Sequence, residues 1–145
     1  MGRLKLQLPD HFIFTCPVQV RITDLNYGGH VGNDTILSLI HEGRIQYLRH
    51  LGYSEMEFCG SGMIMADAAI EFKNELFYGD ELTISVTPGE LSRVGFELFY
   101  KLEKKVNDNM IVVALSRTNM ICYDYARKKI VALPEEAVNK LGIKN

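Results

Sequence analysis

The sequence predicts an α+β fold in which an antiparallel sheet curls around one long helix, and three observations carry that prediction. Thr35 to Leu51 has the apolar spacing of a helix, a period-two strand precedes it, and almost everything after it reads as successive strands parted by tight turns. Consecutive strands joined by short turns pair antiparallel. One helix of about five turns cannot cover both faces of such a sheet, so the sheet must wrap it, leaving the outer face and one edge for a partner. With 145 residues and 47% hydrophobic content, the chain is expected to form a single domain over 1–145 with a substantial core.

Each element has its own signal. Cys16, Val18, Val20 and Ile22 alternate with Thr15, Pro17, Gln19, Arg21 and Thr23, predicting a half-buried strand from Thr15 to Ile22 with Pro17 at its beginning or edge. Ile36, Leu37, Leu39, Ile40, Ile45, Leu48 and Leu51 recur at helical spacing, with Asn33 or Asp34 as N-cap and Gly52 as stop. Tyr53 to Ser61 reads as a loop, and Gly62 to Phe72 as an apolar strand interrupted by Asp67. Leu82, Ile84 and Val86 alternate before a turn expected at Pro88-Gly89; Phe96, Leu98, Tyr100 and Leu102 alternate before a turn at Asn107-Asp108-Asn109. Met110 to Tyr123 is a further strand, and Pro134-Glu135-Glu136 opens a short closing helix to Leu141.

Composition narrows the partners. A net charge of -2 gives no general attraction to polyanions, so nucleic acid is not expected. Met1 to Asp10 carries Arg3 and Lys5 with no apolar run behind them, and no stretch reaches the roughly 20 apolar residues that cross a bilayer. Cys16, Cys59 and Cys122 show no paired spacing and read as free thiols of a reducing compartment, neither a disulfide frame nor a zinc site. A cytoplasmic protein without membrane segment, metal, repeat or linker is expected.

The stretch from Asp24 to Asp34 is polar and glycine-rich and runs directly into the long helix. A helix start offers unpaired N–H groups and the positive end of the macrodipole, while Gly28, Gly29 and Gly32 leave room for close approach. A carbonyl oxygen held there is polarised, and an oxyanion forming on it is stabilised; the plainer alternative is an ordinary turn before a capped helix. Asp24 stands two places before Asn26, so an extended backbone points both side chains the same way. Asp24 is then a candidate base, or else a carboxylate that fixes the loop. His30 exchanges protons near neutral pH, or serves only as a hydrogen-bonding loop residue. Asp67 is a lone acid in an apolar strand: it reaches a neighbouring subunit's loop, or it faces solvent.

The same residues resemble a known family. Asn26-Tyr27-Gly28-Gly29-His30-Val31, followed by His41-Glu42-Gly43-Arg44 in the helix, is similar to the loop and helix of hotdog-fold thioesterases of the 4-hydroxybenzoyl-CoA and bacterial acyl-CoA thioesterase type. Ile70-Glu71-Phe72, Tyr78-Gly79-Asp80-Glu81-Leu82 and Ala132-Leu133-Pro134 resemble the rest of the pattern. The resemblance implies the hotdog fold and hydrolysis of an acyl thioester of CoA or acyl carrier protein, with CoA part of the substrate and no cofactor. It also implies homodimers or homotetramers that share sites between subunits.

It places the oxyanion-binding N–H at Asn33 and puts Arg93 where relatives hold the carrier's phosphates; Tyr27 and Gly29 are further candidates for substrate contact, and Tyr27, Tyr47 and Met63 either line the acyl pocket or serve ordinary core packing. His41 falls where another branch of the fold carries a catalytic glutamate, with Glu42 one step round the helix, expected in a buried pair with Arg44 or a neighbour's arginine. His30 resembles the histidine of plant acyl-ACP thioesterases. The family's catalytic aspartate matches Asn26, and a neutral amide takes no proton at neutral pH. Either Asp24, His30 or Asp67 is the base while Asn26 orients water or thioester, or the protein binds acyl thioesters without cleaving them. A third reading is an enoyl-CoA hydratase or dehydratase on the same fold.

Overall fold

The computed structural model describes residues 2–142. In chain order it contains β1 (Phe14–Gln19), a short 3-10 turn (Ile22–Asp24), α1 (Asn33–His50), β2 (Gly62–Phe72), β3 (Glu81–Leu91), β4 (Gly95–Val106), β5 (Asn109–Asp124), β6 (Lys129–Ile130) and α2 (Glu135–Lys140). The strands form one antiparallel sheet in the order β1-β3-β4-β5-β2, with β6 paired to the end of β5. Register shifts at Met65/Asp67, Pro88/Leu91 and Leu102/Glu103 add local bend and twist.

α1 lies on the inner face. Its buried residues Ile36, Leu39, Ile40, Gly43, Tyr47 and Leu48 follow the helical period. They belong to the same core cluster as Leu82, Ile84 and Val86 of β3 and Phe96, Leu98, Tyr100 and Leu102 of β4. The helix sits close on the sheet at Gly43, where a β-carbon would come within 2.7 Å of Ile84 Cγ2. Leu37, expected on the core side, is exposed. On the outer face the chain's N-terminal stretch crosses the sheet: the Leu6 N–H donates to Glu71, and Phe12 lies under the Lys101 ammonium.

Several expectations shift. The first strand ends at Gln19, because residues 22–24 close into the 3-10 turn, so Asp24 and Asn26 do not share an extended segment. The N-cap is Gly32, and α1 begins at Asn33 with no side chain capping it. Pro88 and Gly89 lie inside β3: Pro88 pairs with Leu98, and the missing proline N–H is absorbed by the bulge. The turn comes later, where the Ser92 N–H donates to the Gly95 carbonyl. Asn107 and Asp108 both take positive φ and close the β4–β5 hairpin as expected. Cys16, Cys59 and Cys122 are free thiols.

Tyr47 is fully buried, yet its hydroxyl meets no partner among the described residues. An unpaired buried hydroxyl carries a desolvation cost that a phenyl ring lacks, so Tyr47→Phe is expected to raise stability by about 1 kcal/mol. Thermal unfolding should register this as a Tm increase of a few degrees.

Candidate functional site

The polar loop is a tight hairpin closed by its own backbone. Leu25 bridges Val31, the Asn26 N–H donates to the His30 carbonyl at 2.8 Å, and the Gly29 N–H donates to the Asn26 carbonyl at 3.1 Å. Gly29 takes φ 82°, a region costly for a residue with a β-carbon. The Asn26 side chain fixes the turn, its Oδ1 accepting the Gly28 N–H at 2.8 Å. That assignment turns the amide Nδ2 towards Gly32, whose β-carbon, if it had one, would lie 3.6 Å from Nδ2 and 2.7 Å from Asp34 Oδ1. Asn26 therefore presents a donor beside the start of α1.

The opposite wall is the segment from Phe72 to Asp80. The Val31 N–H donates to the Leu76 carbonyl, His30 bridges Phe77, and the two rings meet edge to face. Lys104, buried at the end of β4, ties this wall down by donating to the Glu75 carbonyl at 2.7 Å, with its ammonium 5.1 Å from the Phe77 ring centroid. Asp80 completes the tie, accepting from the Phe77 N–H at 2.8 Å and approaching Lys104 Nζ at 3.4 Å. Between loop and wall opens a cavity of about 230 Å³ lined by His30, Asn33, Ile36, Phe72 and Leu76 among others. No side-chain hydrogen bond caps α1, and its first residue, Asn33, lines this space at the positive end of the helix dipole.

The other expected residues are not gathered here. Asp24 is buried and bound to its own turn, accepting the Arg21 N–H at 2.8 Å. It lines a different cleft, with Glu42 and Gln46. Asp67 sits on β2, where it accepts both contacts of the Asn119 amide at 2.9 and 3.1 Å. Arg93 is in the β3–β4 turn, roughly 30 Å along the sheet from the loop at the rise of an extended strand. Tyr27 is fully exposed, Tyr47 is core, and buried Met63 lines a cleft between α1 and β2.

Glu42 is not in a buried pair; it is exposed and accepts from Gln46. Arg44, itself buried, pairs instead with the partly exposed Glu55, Nε to Oε2 at 2.7 Å, extended by Arg44 to the Tyr100 hydroxyl at 3.2 Å and on to Thr118 at 2.7 Å. Glu55 also holds His41 Nε2 at 2.8 Å. Burial pushes the Glu55 carboxyl up, but the Arg44 and His41 contacts outweigh it and hold it below the ordinary carboxylate range. Sequence reasoning missed Glu55 and Lys104. Lys104 continues the inward alternation of Leu98, Tyr100 and Leu102 and was detectable from it; Glu55 lies in an irregular loop with no such signal.

The fold is of the hotdog type, the profile of the thioesterase-like superfamily matches residues 20–141, and the chain belongs to that family. It is 30% identical over 132 residues to a "putative esterase" of Aquifex aeolicus, covering 90% of this chain and 97% of that one. It is 29% identical over 119 residues to a 1,4-dihydroxy-2-naphthoyl-CoA hydrolase of Thermosynechococcus vestitus, covering 80% of each. The fold matches the crystal structure of a mutant 4-hydroxybenzoyl-CoA thioesterase complexed with 4-hydroxybenzoyl-CoA, with a TM-score of 0.80 at 15% identity, over 88% of this chain and 97% of that one. Among the described residues no helix is long and apolar enough to cross a membrane.

Proposed function

We propose that this protein is an acyl-CoA thioesterase, hydrolysing an acyl thioester to the free acid and the thiol. The observation that carries the reading is the uncapped start of α1 opening on the cavity beside His30 and Phe72. The Asn33 N–H polarises the thioester carbonyl and holds the oxyanion. The Asn26 Nδ2 donor orients the water or the thioester, and His30, on the cavity wall, contacts the bound acyl carrier. Tyr27 and Gly29 belong to the loop that the carrier passes. Arg93, far along the same chain, meets a carrier phosphate only across subunits. Of the two candidate carboxylates, Asp24 is engaged by its own turn and Asp67 by Asn119.

The substrate's carrier is CoA or acyl carrier protein, CoA entering as part of the substrate and not as a cofactor. The protein acts in the cytoplasm as a homodimer or homotetramer. Release of free thiol over a panel of aliphatic and aromatic acyl-CoAs tests the reading. Turnover above background supports it, and its absence with every acyl group, by intact oligomer, ends it.

Asn26 also favours a second reading, a binder of acyl thioesters that does not cleave them; calorimetric binding without thiol release would select it. Asn26→Asp addresses the chemistry. The carboxylate still accepts the Gly28 N–H, and its second oxygen takes the place of Nδ2 at the positive end of α1. Hydrolysis is expected to be maintained or raised, read as kcat. A collapse would mean that the amide N–H itself is required.

A further inference from the structure

The start of α1 is steadied from outside the helix. The hairpin that leads into it is tied to the opposite wall by the Val31 N–H, which donates to the Leu76 carbonyl at 2.8 Å. Gly32, between Val31 and Asn33, brings no side chain of its own. The direction of the Asn33 N–H therefore depends on where Leu76 sits. Leu76 belongs to the stretch from Lys73 to Asp80, which has neither strand nor helix and one isolated bridge, Phe77 to His30. The near end of that stretch is pinned to β5: the Lys73 and Asn74 N–H groups both donate to the Val113 carbonyl, at 2.9 and 3.1 Å. The far part, from Glu75 to Asp80, is held by Lys104.

A lysine is a costly choice for that place. Lys104 follows Leu98, Tyr100 and Leu102 on the inward face of β4 and is 8% exposed. Methionine or leucine would bury a similar stem with no charge to desolvate. The ammonium instead meets three groups of one short segment: the Glu75 carbonyl at 2.7 Å, the Asp80 carboxylate at 3.4 Å and the Phe77 ring, whose centroid is 5.1 Å away. Asp80 in turn accepts the Phe77 N–H at 2.8 Å. Glu75 and Phe77 are the two chain neighbours of Leu76, so one cation clamps both sides of the carbonyl from which Val31 hangs. Lys104 is not among the residues that line the helix-start cavity, and any influence it has on the reaction travels through Leu76.

We propose that Lys104 is a positioning residue of the thioesterase site. Its ammonium fixes Leu76 through Glu75 and Phe77, and the hydrogen bond from Val31 to Leu76 carries that placement to the Asn33 N–H that meets the thioester oxygen. The proposal rests on the thioesterase reading. A displacement of about 1 Å passed to a reacting group from a distance costs about 10²-fold in rate. Binding, which draws on the rest of the cavity, changes little.

The test is a double-mutant cycle in thiol release. Lys104→Met keeps the apolar stem and deletes the ammonium; Asn33→Pro deletes the donor itself. Lys104→Met alone is expected to lose about 10–100-fold in kcat, with KM within about threefold of wild type. In the Asn33→Pro background the same change should cost less than about twofold, because the donor it orients is already gone. Amide hydrogen exchange gives the local readout: in Lys104→Met the Val31 N–H should exchange at least about tenfold faster, with the Leu98 and Tyr100 amides of β4 accelerated less. A lysine that only stabilised the fold would speed all three alike and multiply its loss onto that of Asn33→Pro.

Should Lys104→Met not fold, Phe77→Leu takes its place. That ring is 43% exposed and lies outside the core cluster, and its loss frees one neighbour of Leu76 from the cation. A loss of about fivefold in kcat is expected, again absorbed in the Asn33→Pro background. With an active wild type, a kcat for Lys104→Met within about twofold of it overturns the assignment, as do losses that multiply or exchange that rises uniformly. For Phe77→Leu, an unchanged kcat or a loss that multiplies does the same. Each of these outcomes leaves the thioesterase reading standing, whereas an inactive wild type removes that reading and this one with it.

Discussion

Replacing Asn33 by proline is expected to lower kcat by about 10²–10³-fold, the usual effect of deleting one oxyanion donor, while α1 stays folded. The first helical position is where proline does least harm, since its N–H has no partner within the helix and its fixed φ suits the first turn. Gly32 already has φ -73° and ψ 161°, the extended backbone preferred before proline. The Asn33 side chain is exposed and, among the described residues, makes no hydrogen bond that would be lost with it. One donor therefore disappears and little else changes. Steady-state kinetics should show the loss mainly in kcat, with KM and the far-ultraviolet circular dichroism close to wild type. Undiminished turnover would place the electrophilic group elsewhere.

Arg44→Met has the largest expected effect on stability. Arg44 is buried and joins Glu55 to Tyr100 and Thr118 across the core. Methionine fills much of the volume but leaves the Glu55 carboxylate without its cation. Breaking one side of a buried pair costs about 3–5 kcal/mol, and the partial exposure of Glu55 places this case near 3. Differential scanning calorimetry should register a fall of roughly 6–12 °C in Tm.

The pH dependence follows from the same pair. The folded-state pKa of Glu55 is depressed, so its contribution is fully present above the unfolded carboxylate value of about 4.3 and is lost as pH falls through the lower folded value. That acid-sensitive portion should be reduced in Arg44→Met, where His41 alone still holds the carboxylate. A Tm within about 2 °C of wild type would show that the clamp is dispensable.

The fold was legible wherever burial alternates strictly. Phe96, Leu98, Tyr100 and Leu102 all face the core, and the Asn107-Asp108 turn adopts the positive φ angles those residues tolerate. Where two local signals competed, tertiary packing decided. Asn33 and Asp34 are both good caps, yet the chain enters the helix one residue earlier, with Gly32 in the extended conformation of an N-cap. Pro88-Gly89 looks like a turn, but the strand continues through it: Gly89 lies where a β-carbon would collide with Phe99 and Glu97 across the ladder.

The helix start at the candidate site could be read from the Asn26 to Asn33 loop. The Arg44–Glu55 clamp could not, because Glu55 comes from a loop without periodicity and meets its partner only when that loop folds back on α1.

At the contact between Gly43 and Ile84 the helix backbone rests almost directly on a strand side chain. That seat works like a detent: to slide lengthwise, the cylinder must ride up over a branched methyl, and to roll it must drive Ile40 or Tyr47 into the floor. The elevation of the amides at its tip is thus indexed from a point about 15 Å away. A single added carbon at the seat would tilt the whole lever and misalign its far end without touching any group that meets the thioester.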